Sequence, residues 1–318
     1  MKIYILVSIL LAVLSFVYLK LAVHFKIIDK PNVRSSHSKI TVRGGGIIFP
    51  IAILLFFILN DYQYPYFVLG IFLISLVSFL DDIYTLSAKV RFPFQFIAVF
   101  LALYQLQVPL SPYSLFVLYV ILGIGITNMF NFMDGINGIT GIYSLAVLLG
   151  LFFINANEHL VHDDFIIFLG ISLLIFGYYN FRKKALFFAG DIGSITIGVF
   201  IFFIGVLFAI KLSSPLMLLL VIVYGADTGC TFLYRKLYTN ESVFDPHRHH
   251  MYQKLVDVKK LSHLKVSVAY ALVQLLMNVV LYKTYQLPLQ TQLFILLGVI
   301  SFFMLTYLLL FHKLKIKS

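Results

Sequence analysis

The feature that most constrains this chain is a succession of apolar segments, each long enough, or nearly long enough, to cross a lipid bilayer. Hydrophobic residues make up 61% of the 318 residues and charged residues only 12%, a balance that excludes a water-soluble domain. Backbone polar groups in lipid must be satisfied within the segment, which favours helices. We therefore predict an all-α polytopic membrane protein with about eleven transmembrane helices. The predicted segments are residues 3–25, 44–60, 66–80, 92–107, 114–132, 136–155, 164–180, 192–210, 214–234, 263–283 and 290–311.

Lysine and arginine residues are distributed unevenly between the two sides of the predicted bundle. The segments that follow odd-numbered helices, together with the helix ends beside them, hold 21 of the 24 basic residues. Cytoplasmic loops of membrane proteins are enriched in these residues, so we predict that the N-terminus lies outside and the C-terminus in the cytoplasm. The same bias accounts for the net charge of +11, and no nucleic-acid partner is expected.

The chain is predicted to form a single integral-membrane domain, residues 1–318, without a soluble module. Lys2 precedes the first apolar run and no small-residue cleavage site follows it, which indicates a retained helix rather than a signal peptide. A single cysteine, Cys230, excludes an internal disulfide.

Two adjacent carboxylates, Asp81 and Asp82, close the third apolar run, and Lys89 and Arg91 follow. Carboxylates at the edge of a bilayer are costly unless they are paired or bind a ligand. Two adjacent negative charges repel each other, which favours a cation or a proton between them. Asp81 and Asp82 could therefore hold Mg²⁺ or take a proton, while the basic residues could contact a phosphate. An ordinary charged turn that follows the positive-inside bias explains the same residues equally well.

A group of polar side chains ends the fifth apolar segment. Asn128, Asn131 and Asp134 fall three residues apart, so on a continuous helix they lie on one side. A single asparagine is readily explained by a hydrogen bond between helices. Three such groups are better explained by a water-filled site, because an unpaired amide in hydrocarbon is unfavourable.

Glycines open two further helices. Arg43 precedes Gly44–Gly46, and Asp191 lies within Gly190–Ser194. Backbone N–H groups at a helix start can face an anion, and Asp191 adds a carboxylate beside them, a combination that suits a metal-bound diphosphate. The alternatives are close helix packing through small residues and an ordinary N-cap role for Asp191.

The last polar cluster combines histidines with an arginine. Within residues 245–253 these are His247, Arg248, His249 and His250. Zinc is not the expected ligand, because two of the histidines are adjacent and no cysteine lies near them in the sequence. Contact with a phosphate fits better, and a solvated basic loop is the alternative. Asp227, in the ninth apolar run, is interpreted as a structural partner of a basic group, although it could also orient a catalytic one.

These clusters together bring several carboxylates, a histidine–arginine loop and glycine-opened helices to one predicted face of the bundle. Carboxylates with Mg²⁺ and basic groups are suited to phosphoryl transfer, and at a bilayer surface one substrate is expected to be a lipid phosphate. A secondary transporter with an acidic site at the cytoplasmic edge is the alternative, because transporters also contain broken helices and intramembrane acids. Transporter sites lie near the membrane midplane, however, whereas these acids cluster at one edge.

Five stretches in a fixed order carry a resemblance to a known family. They are Arg43–Gly46, Asp81–Gln95, Asn128–Gly138, Gly190–Ser194 and His247–Gln253. In these stretches the chain resembles the polyprenyl-phosphate N-acetylhexosamine-1-phosphate transferases, the superfamily that includes the MraY, WecA and TagO enzymes. The resemblance covers a motif-bearing core of about residues 29–255, and residues 263–318 follow as C-terminal membrane helices. The last stretch is more similar to the WecA branch, which makes O-antigen and related precursors, than to the peptidoglycan branch.

The resemblance implies a multi-pass enzyme of the bacterial inner membrane with its active site on the cytoplasmic face. It implies transfer of an N-acetylhexosamine-1-phosphate, with GlcNAc-1-phosphate as the expected group, from a UDP-N-acetylamino sugar to a polyprenyl (undecaprenyl) phosphate. UMP would be released, and the polyprenyl-diphosphate sugar would begin a cell-surface polysaccharide such as O-antigen. Mg²⁺ is the implied cofactor, with Mn²⁺ as an alternative, and a homodimer is compatible with the resemblance.

The resemblance also implies roles for individual residues. The implied catalytic residues are Asp81, Asp82, Asp134 and Asp191. Asp191 is an implied Mg²⁺ ligand, and Asp81 and Asp82 would supply the base or a further metal contact. The implied substrate-binding residues are Lys89, Asn128, Asn131, Asn137, His247, Arg248, His249 and His250. Direct in-line attack is expected rather than a covalent enzyme intermediate, because two substrates that meet at one surface need no relay. One departure from the family is Arg182-Lys183-Lys184, which stands where the family has a proline–alanine pair.

Overall fold

The computed structural model of the protein describes residues 2–29, 40–238 and 248–314. Within these ranges twelve α-helices contain most of the chain, and the two strands, Ile28–Asp29 (β1) and Thr41–Val42 (β2), form one short antiparallel pair. The helices are α1 (Lys2–His24), α2 (Ile48–Leu59), α3 (Pro65–Tyr84), α4 (Ala88–Gln105), α5 (Tyr113–Met133), α6 (Ile139–Glu158), α7 (Asp163–Asn180), α8 (Gly190–Leu212), α9 (Ile222–Tyr238), α10 (Met251–Asp257), α11 (His263–Thr284) and α12 (Leu289–Lys313). Short 3₁₀ segments, Gly45–Ile47 and Pro215–Val221, lead into α2 and α9.

Each of the eleven predicted segments corresponds to a helix, and α10 is a short helix outside them. In the part of the chain that the structure describes, nine helices are long and apolar enough to cross a membrane: α1, α3, α5, α6, α7, α8, α9 with its 3₁₀ lead-in, α11 and α12. Gly45–Leu59 is a shorter apolar helix, and α4 carries Lys89 and Arg91 in its first turn. The prediction of an all-α polytopic membrane protein is confirmed. The orientation, with the N-terminus outside and the C-terminus in the cytoplasm, stays a prediction.

Two helix boundaries determine where the acidic residues lie. α3 ends because Thr85 adopts a left-handed conformation, with φ of 55°, which puts Asp81 and Asp82 in its last turn. α8 begins at Gly190, where φ is +73°, a value that glycine adopts without steric cost. Asp191 therefore occupies the first turn of α8.

α8 lies at the centre of the bundle, where it packs against α2, α3 and α5 and is buried over most of its length. The segment before α2 crosses α8 so closely that a Cβ atom on Gly46 would lie 2.3 Å from Cα of Gly193. The Gly46 N–H donates a hydrogen bond to the Ala189 carbonyl at 2.9 Å and completes this crossing. The crossing holds Arg43 beside the start of α8.

Candidate active site

The end of α3, the start of α4, the start of α8 and the segment before α2 meet on one side of the bundle. They bring together Asp81, Asp82, Asp191, Arg43 and Arg91. The three aspartates are buried, with exposed fractions of 4%, 7% and 9%. Buried carboxylates require cations or hydrogen-bond donors, and the two arginines supply both.

Asp82 holds the N-terminus of α8. Its Oδ1 accepts a hydrogen bond from the Asp191 N–H at 2.8 Å, and its Oδ2 accepts one from the Ile192 N–H at 3.2 Å. The backbone at Gly190 passes so near that a Cβ atom there would lie 2.4 Å from Asp82 Oδ2. Both oxygens of this carboxylate are therefore engaged in joining α3 to α8, as in a helix cap.

Asp81 and Asp191 share the guanidinium of Arg91. Arg91 Nη1 lies 2.7 Å from Asp81 Oδ2 and 2.7 Å from Asp191 Oδ2. The other oxygen of Asp81 accepts a hydrogen bond from the Leu86 N–H. A single positively charged nitrogen thus joins the carboxylates of two helices.

Arg43 joins Asp82 and Asp191 through two different nitrogens. Its Nε lies 2.7 Å from Asp82 Oδ1, and its Nη2 lies 3.0 Å from Asp191 Oδ1. Burial alone would lower the pKa of the Arg43 guanidinium, but the charges of Asp82 and Asp191 outweigh it and raise that pKa. The Tyr18 hydroxyl donates to the Arg43 carbonyl at 2.6 Å, which fixes the backbone of this arginine.

The asparagines of α5 face α4 and α8. Asn128 and Gln95 exchange amide hydrogen bonds, at 3.1 Å from Asn128 Nδ2 and 3.3 Å from Gln95 Nε2. Asn131 Nδ2 donates to Ser194 Oγ at 3.2 Å, one turn from Asp191. Asn131 is thus next to the acidic cluster, whereas Asn128 lies farther along the α4–α5 contact.

Asp134 follows the end of α5 and is partly buried. Its Oδ1 accepts a hydrogen bond from Thr140 Oγ1 at 2.7 Å. The pKa of Asp134 is raised to about 6, and burial is the largest cause. The hydrogen bond from Thr140 and the charge of Arg43 act to lower this pKa, whereas the charge of Asp191 acts to raise it. Because both charges act on it, Asp134 is a fourth acid within electrostatic reach of the cluster.

Asn137 and Lys89 occupy contrasting positions. The amide of Asn137 is buried and donates to the backbone carbonyls of Arg182 and Lys183, at 2.8 Å and 3.2 Å. Asn137 thereby ties the turn before α6 to the basic segment that precedes α8. Lys89 is exposed and forms no hydrogen bond or ion pair with any residue that the structure describes.

The histidine–arginine cluster is described from residue 248 onward, and the predicted site residue His247 lies outside the described residues. Arg248 pairs with Asp257: its Nη2 lies 3.0 Å and 2.9 Å from the two carboxylate oxygens, and its Nε lies 3.1 Å from Oδ2. The ring of His249 lies 6.0 Å from the ring of Tyr234. Part of this cluster is therefore engaged within the protein.

Asp227 organises the start of α10. This fully buried carboxylate lies 3.1 Å from His250 Nδ1 and accepts hydrogen bonds from the N–H groups of Met251 and Tyr252, at 2.9 Å and 3.2 Å. It also accepts a hydrogen bond from the Tyr270 hydroxyl at 2.5 Å. Asp227 therefore caps α10 and fixes the ring of His250, as the interpretation of a structural pair with a basic group anticipated.

Tyr252 connects α10 to the end of α5. Its hydroxyl donates to the Phe132 carbonyl at 3.1 Å, and a Cβ atom on Gly135 would lie 2.1 Å from that hydroxyl oxygen. The charge of Asp134 contributes to raising the pKa of Tyr252, after burial and Asp227. The histidine cluster thus packs directly against the stretch that contains Asp134.

Sequence reasoning did not assign site roles to several residues that the structure brings into these contacts. They are Arg43, Gln95 and Ser194, while Arg91 was considered only as a phosphate contact. Charge balance offers one signal that could have found the arginines, because three buried acids need nearby cations. The individual pairings depend on helix packing and have no local signal.

The carboxylates at this site offer oxygen ligands of the kind that magnesium prefers. Among the described residues, no group of three or more histidine, cysteine, aspartate or glutamate side chains is arranged to hold a metal. Two carboxylates are enough for Mg²⁺ when substrate phosphates complete its coordination. Asp81 and Asp191 are the two carboxylates that would hold such an ion, because one nitrogen of Arg91 lies 2.7 Å from an oxygen of each.

Comparison with protein families adds an independent observation. Residues 64–209 match glycosyl transferase family 4. The matched segment runs from the start of α3 into α8, and it contains Asp81, Asp82, Asp134 and Asp191. Together with the apolar helices, the match supports a transferase embedded in a membrane. Comparison with curated proteins finds no match.

Proposed function

We propose that this protein transfers N-acetylhexosamine-1-phosphate from a UDP-sugar to a polyprenyl phosphate. The observation that carries the proposal is the group of three buried aspartates and two arginines at one end of an apolar helix bundle, within the segment that matches glycosyl transferase family 4. Such a group can bind phosphates and stabilise the charge that develops on them. A secondary transporter fits less well, because these acids lie at helix ends rather than near the membrane midplane.

The proposed reaction is a phosphoryl substitution without oxidation or reduction. An oxygen of the lipid phosphate forms a bond to the β-phosphorus of the UDP-sugar. The bond from that phosphorus to the oxygen that bridges the α- and β-phosphates breaks, and UMP leaves with the bridging oxygen and the electron pair. A proton carried by the lipid phosphate passes to an enzyme carboxylate. The products are UMP and the polyprenyl-diphosphate sugar.

The contacts suggest different roles for the two adjacent acids. Both oxygens of Asp82 are engaged by backbone N–H groups of α8, so Asp82 is suited to positioning that helix. Oδ2 of Asp81 is engaged by a side chain, that of Arg91, rather than by the backbone, so Asp81 is suited to supplying the base or a metal contact for the lipid phosphate. Arg43 and Arg91 would hold phosphate oxygens, for which a guanidinium is well matched. A Mg²⁺ ion, with Mn²⁺ as an alternative, would be held by Asp81 and Asp191 and would supply positive charge to the phosphates.

The donor would occupy the region between the acidic cluster and the histidine loop. Asn131 and Asp134 border this region, and Asn128, Asn137 and Lys89 stay predicted substrate contacts. His247, Arg248, His249 and His250 would contact phosphate. We propose UDP-GlcNAc as the donor and undecaprenyl phosphate as the acceptor, on the cytoplasmic face of a bacterial inner membrane, at the first membrane step of O-antigen or related surface-glycan synthesis.

The proposal is tested by UMP release from purified protein in lipid nanodiscs with polyprenyl phosphate and Mg²⁺. A panel of UDP-GlcNAc, UDP-GalNAc and 6-deoxy amino sugars identifies the donor. We expect Asp191→Asn to abolish UMP release while the protein stays folded. Asp61→Asn is the matched control, because Asp61 is exposed at the opposite end of α3 and should leave turnover unchanged. A folded wild-type protein that releases no UMP with any of these donors would refute the proposal.

A further inference from the structure

Arg91 binds the acidic cluster in an unusual way for an arginine. Its Nη1 alone makes both contacts, at 2.7 Å from Asp81 Oδ2 and 2.7 Å from Asp191 Oδ2. Its Nε is buried and has no hydrogen-bond partner among the described residues. An arginine normally uses the parallel donors of its planar fork, whereas this partly buried side chain leaves its buried Nε–H unused.

Arg43 provides the contrast on the other side of the cluster. It contacts Asp82 through Nε and Asp191 through Nη2, so its fork is engaged. Its backbone is fixed by the hydrogen bond from Tyr18 at 2.6 Å and by the crossing at Gly46. Arg43 is therefore built into the frame of the site, whereas Arg91 is held by one nitrogen.

A cation that bridges Asp81 and Asp191 would need the space that Arg91 Nη1 occupies. Magnesium binds carboxylate oxygens at about 2.0–2.1 Å, so the ion and the guanidinium nitrogen cannot both lie between the same two oxygens. The arginine leaving that space would carry a fork whose Nε has no partner among the described residues. A phosphate offers acceptors that match such a fork in two parallel hydrogen bonds.

We propose that Arg91 is an exchangeable counter-ion: a divalent cation replaces its guanidinium between Asp81 and Asp191, and the released fork then binds a substrate phosphate. The phosphate part of this inference rests on the proposed function, whereas the exchange between arginine and metal does not. The exchange keeps a positive charge between the two carboxylates at every stage. It also couples metal binding to the presentation of an arginine at the reacting phosphates.

The exchange is tested by metal binding without any substrate. Mn²⁺ is the probe, and the electron paramagnetic resonance signal of free Mn²⁺ measures its binding to purified protein. We expect Arg91→Gln to bind Mn²⁺ at least about tenfold more tightly than wild type, because its competitor for the carboxylates is gone. Lys89→Gln removes the same charge from an exposed position two residues away and should leave the Mn²⁺ affinity within about twofold of wild type. Adding Asp191→Asn to Arg91→Gln should abolish the tight binding.

Several outcomes would overturn the exchange. Unchanged or weaker Mn²⁺ binding by Arg91→Gln would show that Arg91 does not occupy the place of the ion. Equal gains in Arg91→Gln and Lys89→Gln would reduce the effect to net charge. These measurements need no turnover, so an inactive wild type would refute the proposed function and leave the exchange open to the same test.

Arg91→Lys tests the second half of the proposal and serves if Arg91→Gln does not fold. Its single ammonium can still bridge the two carboxylates, so Mn²⁺ affinity should stay near that of wild type. It has no fork, so the KM for the polyprenyl phosphate or the UDP-sugar should rise by about tenfold. Arg91→Lys with wild-type KM values for both substrates would refute the transfer of the guanidinium to phosphate.

Discussion

Replacing Asp227 with asparagine should disconnect the histidine loop from the helix bundle. Asp227 receives hydrogen bonds from two backbone N–H groups of α10 and from Tyr270, and it meets His250 Nδ1 at 3.1 Å. Asparagine can keep a carbonyl oxygen toward His250 and Met251, but its NH₂ group then faces Tyr252. The Tyr270 hydroxyl can turn and accept a hydrogen bond, whereas the Tyr252 N–H has no such freedom.

The expected loss of stability follows from these contacts. A buried N–H left without an acceptor costs about 1–3 kcal/mol, and hydrogen bonds to a neutral oxygen are weaker than those to a carboxylate. We therefore expect Asp227→Asn to lower the free energy of unfolding by about 3 kcal/mol. The ring of His250 would also lose the group that sets its direction, so kcat should fall by about a hundredfold.

Thermal unfolding in nanodiscs and UMP release, normalised to folded protein, measure these two effects. Tyr270→Phe is the matched control, because it removes one donor, leaves the Asp227 carboxylate beside His250, and should keep kcat within about threefold of wild type. Asp227→Asn with a wild-type melting temperature would refute the reasoning about the buried carboxylate. A lower melting temperature with wild-type kcat would show that Asp227 supports the fold without positioning His250 for the reaction.

Two further substitutions test the acid beside the cluster and the backbone at the start of α8. Burial raises the pKa of Asp134 to about 6 from its ordinary value of 3.8, so its contribution to wild-type stability is present below pH 3.8 and is lost as the pH rises through about 6. At pH 8, Asp134→Asn should therefore have a free energy of unfolding that is higher than that of wild type by about 1 kcal/mol, after allowance for partial exposure, and a higher melting temperature. The same variant should lose UMP release. A lower melting temperature at pH 8 would contradict this reasoning. Gly190→Ala should lower the free energy of unfolding by about 2–4 kcal/mol and impair turnover, because φ is +73° and the added Cβ would lie 2.4 Å from Asp82 Oδ2. In Gly205→Ala the added Cβ would meet no atom within 4 Å, so that variant should unfold at the wild-type temperature; equal melting temperatures for both alanine variants would refute the reasoning.

The membrane fold was predictable because the bilayer imposes a length and a composition on every spanning segment. Each predicted apolar run corresponds to a helix, including the 92–107 run, which in the structure is α4, beginning earlier at Ala88. The short helix α10 was not predicted, since seven residues carry too little periodicity to stand out from a loop. Its position depends instead on Asp227, a residue of another helix.

The candidate site was only partly predictable. Asp81, Asp82 and Asp191 were expected on one face, because each lies at a helix end on the same predicted side, and the structure brings them together. The different roles of Asp81 and Asp82 could not be predicted from the sequence, because they depend on which carboxylate accepts hydrogen bonds from the backbone of α8. Asn137 illustrates the same difficulty, since its amide is engaged with backbone carbonyls that lie 45 and 46 residues away in the sequence.

The contact between α3 and α8 can form only late in the synthesis of the chain. Asp191 is synthesised 109 residues after Asp82, so for some seconds, at roughly 5–20 residues per second, the nascent chain has Arg43, Asp82 and Arg91 without their common partner. During that interval Arg43 and Asp82 can neutralise each other at the membrane edge. The arrival of Asp191 then recruits both arginines and closes the crossing at Gly46. One of the two residues proposed to hold the metal would thus be the last of the three acids to join, and chains that stop before α8 would expose an incomplete set of charges to the bilayer.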